Sequence, residues 1–247
     1  AEVFSMRREE VFFVSTRRTP GYVTQSTYTP TGYGYRCAQW SQRVLMMPID
    51  CTMHENAVAQ VFSPSGERFF TTTFFQYPAG GQRDGLVHAV YGGVYGKPHG
   101  VVNSHPRTGD LMPVMAHLGP AAPCGLEIYD SAVFGGDFTG NLFSCQFNLN
   151  RVQRHVLTPD GATFRSDDTD FLASTNADFH PTDVIEDADG SLLVLDTGGW
   201  YKLCCPTSQF WRPEVLGAIY RVKKTRAKPP SYPRGTELDW ADSPPER

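Results

Sequence analysis

One stretch decides the fold of this chain: His180-Pro-Thr-Asp-Val-Ile-Glu-Asp-Ala-Asp-Gly-Ser-Leu-Leu-Val-Leu-Asp-Thr-Gly-Gly-Trp200, which continues to Gly217-Ala-Ile-Tyr-Arg-Val222. It contains two apolar runs, 182–186 and 192–196, which are joined by Ala188-Asp189-Gly190. An Asp-Gly pair supplies the positive φ that a tight hairpin needs. Residues 218–222 then alternate between inward and outward side chains, as strand residues do. We therefore predict three short strands of one sheet.

The same pattern occurs twice upstream. One unit contains apolar runs at 57–62, 67–75 and 85–91, and the other contains them at 124–129, 141–148 and 151–157, with glycine-containing turns between them. The units recur roughly every sixty residues, and no long amphipathic helix interrupts them. Sheets repeated at this period predict an all-β fold, a β-propeller built of four-stranded blades around a central axis.

The chain divides into four parts by this template. Residues 1–18 are predicted to be the outer half of a blade, residues 19–56 an irregular insertion, and residues 57–222 the propeller blades. Residues 223–247 have the Pro-rich, charged composition of a linker, which we expect to lead towards a missing C-terminal domain. A closed propeller usually has more blades than the roughly four counted here. The chain is therefore predicted to be a fragment of a larger one.

Composition excludes two classes of function. The 247 residues have a formal net charge of −4, which gives no basic surface for nucleic acid. No run approaches the roughly twenty apolar residues of a membrane helix, so we expect no membrane span in this segment.

The cysteines fit an exported protein better than a cytosolic one. Their pairing is left open by the sequence. The segment has no Cys-x-x-Cys-His motif, so no haem is expected on it, and no zinc pair of the Cys-x-x-Cys type. The cysteines are Cys37, Cys51, Cys124, Cys145, Cys204 and Cys205. Cys124 and Cys145 fall on strands that are predicted to pair, so a bridge between them is geometrically possible.

Three histidines need separate interpretations. His117 lies in 117–125, a segment predicted to cross between blades over the central funnel, where it is either a general base or a structural histidine. His99 lies in a Gly/Pro loop and is either a surface residue or a site residue. His88 alternates with Val87 and Ala89 on a predicted strand, which favours a structural role.

The long loop 197–216 is the other candidate site. Trp200 and Tyr201 offer faces on which a sugar ring or a flat cofactor can stack, and Lys202 stands beside them for an anion. The alternative is that the tryptophans cap the end of the sheet. The acidic run 167–170 is predicted to be a solvated turn rather than a calcium site, because it lacks the ligand spacing of a calcium loop.

Two groups of residues resemble a known family. The first is Pro120-Ala-Ala-Pro-Cys-Gly-Leu126 with Phe134-Gly-Gly-Asp-Phe-Thr-Gly-Asn-Leu-Phe143, and the second is Thr182-Asp-Val184, Asp189-Gly190 and Ile219-Tyr-Arg221. Over about 57–222 the chain is similar to the six-bladed propellers of glucose/sorbosone dehydrogenases, of the soluble quinoprotein type. The closer match is to large membrane-bound dehydrogenase proteins, in which such a propeller precedes HEAT-type repeats and a c-type cytochrome domain.

The resemblance implies a site at the propeller axis. In that family pyrroloquinoline quinone lies over the axis with calcium, a histidine is the base, and Arg and Lys side chains hold the carboxylates of the cofactor. The resemblance therefore implies His117 or His180 as the catalytic base, and Lys202, Arg212, Trp200, Tyr201 and His99 around the cofactor. Where relatives have Arg-x-Arg-Asp-Val, this chain has Phe179-His-Pro-Thr-Asp-Val184: the Asp-Val is kept and both arginines are replaced.

Two hypotheses follow. In the first, the chain is an exported, periplasmic or cell-envelope module that oxidises a sugar or polyol and passes electrons to a quinone and then to a cytochrome. In the second, it is a non-catalytic propeller that binds a carbohydrate or a protein through the same face. The propellers that this chain resembles occur in proteins that also contain a cytochrome domain, which favours the first hypothesis. The replacement of the two arginines favours the second.

Overall fold

The regular structure of this chain consists of short antiparallel strands. The computed structural model describes residues 4–9, 57–72, 84–90, 93–95, 109–199 and 214–228. Apart from one 3-10 turn at Phe147–Leu149, its regular elements are β1 Phe4–Glu9, β2 Ala57–Phe62, β3 Arg68–Thr72, β4 Asp84–His88, β5 Ala116–Gly119, β6 Pro123–Ile128, β7 Leu142–Gln146, β8 Arg151–Asp160, β9 Thr163–Ala173, β10 Pro181–Glu186, β11 Leu192–Asp196 and β12 Ala218–Lys224. In the part of the chain that the structure describes, no helix is long and apolar enough to cross a membrane.

The three strands predicted around the Asp-Gly turn are confirmed. β10 and β11 pair antiparallel with Glu186 opposite Leu192, and β12 pairs with β11. The turn closes with two backbone bonds, from Gly190 N to the Asp187 carbonyl (2.9 Å) and from Asp187 N to the Ser191 carbonyl (2.8 Å). Gly190 has φ +75°, the left-handed region that a side chain rarely adopts. The glycine is therefore what makes the turn possible.

The strands form three four-stranded antiparallel sheets. The first blade is β2-β3-β4-β5, the middle blade is β6-β7-β8-β9, and the last blade is β10-β11-β12 completed by β1. Phe4–Glu9 pairs along its whole length with Ile219–Lys224. The predicted half blade at the N-terminus is thus, where described, the outermost strand of the last blade. The structure describes three blades rather than the predicted four for this reason.

The three sheets are arranged as consecutive blades of a β-propeller. β6, the first strand of the middle blade, packs against β2 and β3 on one side and against β10 on the other. β2, β6 and β10 are thus the innermost strands of their sheets, and the other strands of each sheet lie progressively farther out in the order in which they pair. The predicted all-β, partial propeller is confirmed.

Two apolar layers hold the blades together. Leu86, Leu126 and Leu142 are buried between the first and middle blades. Val152 and Val194 belong to the second layer, between the middle and last blades, which also contains a group of phenylalanines. Each fully buried aliphatic side chain of this kind stabilises the fold by about 1.5–3 kcal/mol relative to an exposed one. Packing between blades therefore contributes substantially to the stability of the described part of the chain.

Polar contacts also join the first blade to the middle blade and to the connection that leads into it. Asp84, which is fully buried, accepts a hydrogen bond from Ala122 N (2.7 Å), in the connection to the next blade. His88 Nε2 lies 2.8 Å from a carboxylate oxygen of Glu67, and its Nδ1 lies 3.1 Å from the Thr163 hydroxyl of the middle blade. His88 is buried, so the predicted structural role is confirmed.

Two other predictions are decided by the middle blade. Cys124 and Cys145 do lie on paired strands, β6 and β7, but both are free thiols. Burial, and secondarily the charge of Asp183, raises the pKa of the Cys124 thiol to about 11. The predicted turn at 167–170 is wrong, because these residues lie inside β9 and pair with β8, but all four are exposed, as a solvated segment should be. The long β8–β9 hairpin carries the acidic run outward as a strand.

Candidate functional site

One end of the middle and last blades brings together four connecting segments. They are residues 120–122, 147–150, 176–180 and 197–199, and we call this end the His180 face. Asn148 N donates to the Ala121 carbonyl (2.9 Å), and the side-chain amide of Asn150 donates to the Phe179 carbonyl. These bonds hold the segment before β6, the β7–β8 turn and the segment before β10 side by side.

Asn150 explains why the β7–β8 turn fits here. Its φ of 51° and ψ of 42° lie in the left-handed region, which asparagine tolerates better than most residues. In this conformation its side chain reaches the segment that leads into β10. This contact joins residues 29 positions apart, so a local sequence pattern does not reveal it.

His180 is held at this face by well-defined contacts. Its Nδ1 lies 2.9 Å from the Gly198 carbonyl oxygen, and its ring lies 4.6 Å from the Phe147 ring at an angle of 31°. A carbonyl oxygen only accepts, so Nδ1 carries a proton. In the neutral imidazole the lone pair is therefore on Nε2. The side chain is half-buried, between the blades and solvent.

His117 lies elsewhere, contrary to the sequence prediction. It belongs to β5, the outermost strand of the first blade, rather than to a crossing over the funnel. His117 is exposed, whereas its neighbours Ala116 and Leu118 are buried in the layer beside the middle blade. The alternation of these three side chains makes a strand, and the crossing itself is only Pro120–Ala122. The structure thus does not bring His117 and His180 together.

The other predicted site residues lie outside the described residues. These are His99, Trp200, Tyr201, Lys202 and Arg212, together with Cys37, Cys51, Cys204 and Cys205. Their proposed contacts with a cofactor remain predictions from the sequence. The described chain ends at Gly199, one residue before the aromatic pair, and resumes at Glu214.

A group of carboxylic acids between β6 and β10 was missed at the sequence level. Burial raises the pKa of Glu127 to about 7, and the charges of Glu186, Asp130 and Asp183 act in the same direction. Glu186 in turn accepts hydrogen bonds from the backbone N–H groups of Asp130 (2.6 Å) and Ser131 (3.2 Å). The only sequence signal was an acid between two apolar residues of a strand, which does not reveal what faces it across the blades.

A polar triad in the middle blade, buried at two of its three members, was also missed. The Ser144 hydroxyl lies 2.8 Å from His155 Nε2, and His155 Nδ1 lies 2.7 Å from a carboxylate oxygen of Asp168. Ser144 and His155 have no exposed surface, so a substrate has no access to them. The three residues come from adjacent strands, β7, β8 and β9. Each of them supplies a hydrogen-bond partner to the next, and together they fix the register of these strands.

The described part of the His180 face does not fit pyrroloquinoline quinone. A cofactor with three carboxylates needs cationic partners. Residues 120–122, 147–150, 176–180 and 197–199 contain no lysine or arginine, and Asp196 adds a carboxylate beside them. Arg151, which follows the β7–β8 turn, forms an ion pair with Asp170 (2.9 Å).

The described residues contain no metal site. Within them no group of three or more His, Cys, Asp or Glu side chains is arranged to hold a metal ion. The acidic run 167–170 is directed along a strand, with Asp168 bound to His155 and Asp170 bound to Arg151. Calcium therefore stays a prediction of the family resemblance.

Several solved structures are similar to this chain. An oxidoreductase (glucose dehydrogenase) from Thermus thermophilus is 19% identical, with a TM-score of 0.47 over 69% of this chain and 45% of that one. The PQQ-bound aldose sugar dehydrogenase from Streptomyces coelicolor is 14% identical (TM-score 0.46; 69% and 44%). The apo form of the soluble aldose sugar dehydrogenase from Escherichia coli is 16% identical (TM-score 0.46; 72% and 49%). The chain spans less than half the length of each.

No curated protein matches this sequence. One family model does match, over residues 95–228, which is more than half of the chain and includes the middle and last blades except β1. That model is described as a domain of unknown function (DUF7133), and this chain belongs to its family.

Proposed function

We propose that this chain is part of a sugar- or polyol-dehydrogenase-like propeller in which His180 is the base that accepts the proton of the substrate hydroxyl. The observation that carries the proposal is the bond between His180 Nδ1 and the Gly198 carbonyl (2.9 Å). It orients the ring and leaves the lone pair of the neutral imidazole on Nε2. Histidine is the side chain most often used as a general base.

The position of His180 supports this role. The residue lies directly before β10, the innermost strand of its blade, and at the end of the sheet where connecting segments from two blades meet. Loops at one end of a rigid sheet scaffold are where binding and catalytic residues usually occur. The contact with the Phe147 ring further restricts the imidazole.

The chemistry divides into two transfers. The proton of the substrate hydroxyl passes to His180 Nε2. The hydrogen on the carbon that carries this hydroxyl leaves as a hydride to a two-electron acceptor, and the substrate becomes a carbonyl compound. The family resemblance names a quinone as the acceptor and a cytochrome as the next carrier. The described residues do not supply the cations that such a quinone needs, so our proposal assigns only the proton transfer and the substrate class.

Non-catalytic binding of a carbohydrate is the second candidate function. The observation in its favour is that basic side chains on β8 and β12 are bonded to other groups of the chain, as Arg151 is to Asp170, Lys223 is to Asp189 (2.6 Å) and Lys224 is to the Phe134 carbonyl (2.6 Å). They provide no cationic cleft at the His180 face. A propeller that binds a sugar through hydroxyl contacts does not need one.

Dye reduction by the whole chain tests the proposal. The protein is incubated with a series of two-electron acceptors, among them pyrroloquinoline quinone with calcium, and reduction of a dye is followed across a panel of sugars and polyols. We expect substrate-dependent reduction that His180→Gln lowers by roughly 10²- to 10⁴-fold. His117→Gln is the competing variant, since it alone should lose activity if His117 is the base.

Calorimetric titration of the same panel separates the two candidate functions. Binding without dye reduction, in the wild type, supports the non-catalytic carbohydrate module. Neither binding nor reduction for any compound contradicts both. Loss of reduction in His117→Gln, with His180→Gln unaffected, contradicts the assignment of the base.

A further inference from the structure

We propose that Asp196 is a positioning residue that fixes His180 in the Nδ1–H tautomer. One carboxylate oxygen, Asp196 Oδ1, accepts hydrogen bonds from His180 N (2.8 Å) and from Gly198 N (2.8 Å). His180 and Gly198 are also joined directly, by the bond from the His180 ring to the Gly198 carbonyl. The inference rests on His180 as the base of the proposed function.

The carboxylate acts on the carbonyl through the backbone. Asp196 is the last residue of β11, opposite Pro181, so it lies beside the start of β10. The chain then turns at Gly198, whose φ of +62° belongs to the left-handed region. A Cβ at this position would lie 2.6 Å from the Val215 carbonyl oxygen, so the turn requires glycine.

The flexibility of that turn is why an anchor is needed. Glycine has the largest backbone freedom, and the direction of the Gly198 carbonyl follows from the dihedral angles on either side of it. The bond from Gly198 N to Asp196 Oδ1 restricts those angles. The bond from His180 N to the same oxygen restricts the histidine backbone. Asp196 thus holds both the imidazole and the carbonyl that selects its tautomer.

Asp196 does this through its oxygen as an acceptor. An asparagine at the same position keeps a carbonyl oxygen on its side chain and is able to accept the same two N–H groups, whereas an alanine removes the acceptor. We therefore expect Asp196→Asn to keep the His180 tautomer and Asp196→Ala to lose it. Both variants leave His180 and Gly198 unchanged.

The test is nitrogen-15 NMR of the histidine side chains in the whole chain, without substrate. The His180 signals are assigned by their loss in His180→Gln, and the shifts of Nδ1 and Nε2 report the two tautomers. We expect the wild type to be mainly Nδ1–H. We expect Asp196→Ala to lower the ratio of Nδ1–H to Nε2–H by roughly two- to tenfold, the equivalent of one hydrogen bond, and Asp196→Asn to restore it.

Asp187→Ala is the matched control, since Asp187 is at the other end of the same hairpin, where it accepts from Arg221. It should leave the tautomer ratio unchanged. An unchanged ratio in Asp196→Ala, or an equal loss in Asp196→Asn, overturns the inference.

Amide hydrogen exchange of the wild type covers the case in which Asp196→Ala does not fold. Slow exchange at His180 N and Gly198 N is expected, because both N–H groups are bonded to Asp196, and unprotected exchange at both overturns the inference. Neither measurement needs a substrate. If no sugar is ever oxidised while the tautomer responds to Asp196, the proposed function fails and the positioning role stands.

Discussion

Gly125 of β6 lies directly against Asp183 of β10, the innermost strand of the next blade. A Cβ at position 125 would overlap the Asp183 carboxylate and come within 2.6 Å of Asp183 Cα. Because the Cα atom is part of the backbone, it is not able to move aside as a flexible side chain would. The absence of a side chain at 125 therefore sets the distance between the middle and last blades.

Gly125→Ala should destabilise the fold by about 3 kcal/mol, the upper part of the range for an overpacked core. Urea unfolding measures the change. Gly136→Ala is the control, since a Cβ there meets nothing within 4 Å, and we expect its effect to stay within about 0.5 kcal/mol. Equal stabilities for the two variants would show that β10 shifts freely against β6.

Tyr129→Phe should destabilise the fold by about 2–3 kcal/mol, because it leaves buried polar groups without a partner. The Tyr129 hydroxyl donates to the Gly190 carbonyl (2.6 Å) and accepts from Phe134 N (3.1 Å), so it connects the middle blade to the turn of the last one. Thermal unfolding provides the measurement. Ser131→Ala removes a third, partly exposed bond to this hydroxyl (2.8 Å) and a long bond from Val133 N (3.4 Å), and it should cost less. The reverse order would contradict this assignment.

Asp168→Ala should make the free energy of unfolding depend less on pH in the acidic range. Burial alone would raise the pKa of Asp168, but hydrogen bonds from His155 and Ser166 and the charges of His155 and Arg151 hold it below its ordinary value. The stability from this group is present above the unfolded pKa of about 3.9 and is lost as the pH falls through the lower folded value.

At pH 7 the Asp168→Ala variant should be less stable by about 2–3 kcal/mol, since His155 is fully buried and loses its acceptor. The difference from the wild type should shrink below pH ~4. Urea unfolding at a series of pH values checks this. Asp167→Ala, at the exposed neighbouring position, is the control. A difference that does not change with pH would exclude the ionised carboxylate as the cause.

Glu127→Gln should stabilise the protein at high pH relative to the wild type. Burial, together with the surrounding carboxylates, raises the pKa of Glu127 to about 7, so the folded state retains this proton where the unfolded state has lost it. The contribution is complete below the unfolded pKa of about 4.3 and is lost as the pH rises through about 7. Glutamine keeps the shape without the charge.

The melting temperature should therefore differ little between Glu127→Gln and the wild type at pH 4 and be higher in the variant at pH 8. Since Glu127 is partly exposed, solvent screening limits the gain to about 1 kcal/mol or less. Asp110→Asn, at an exposed site, serves as the control. A parallel pH profile for Glu127→Gln and the wild type would contradict the raised pKa.

The strands were predictable because their signals are local. Residues 182–186 and 192–196 alternate or cluster apolar side chains around an Asp-Gly turn, and the strands occur there. The structural role of His88 followed from the same alternation. His117 shows the limit of this reasoning: its apolar neighbours Ala116 and Leu118 belong to a strand, but the glycine and prolines that follow suggested a loop.

The sequence by itself determined the all-β class, the turn at Gly190 and the repeat of blade-like units, because hydrophobic alternation and positive-φ glycines act over a few residues. Only the tertiary structure decided that β1 closes the last blade against β12, that His155 joins Ser144 and Asp168, and that Asp196 lies beside His180. These relationships depend on the register of strands and on which blade faces which. That register is set by the packing of side chains far apart in the chain, and no local pattern records it.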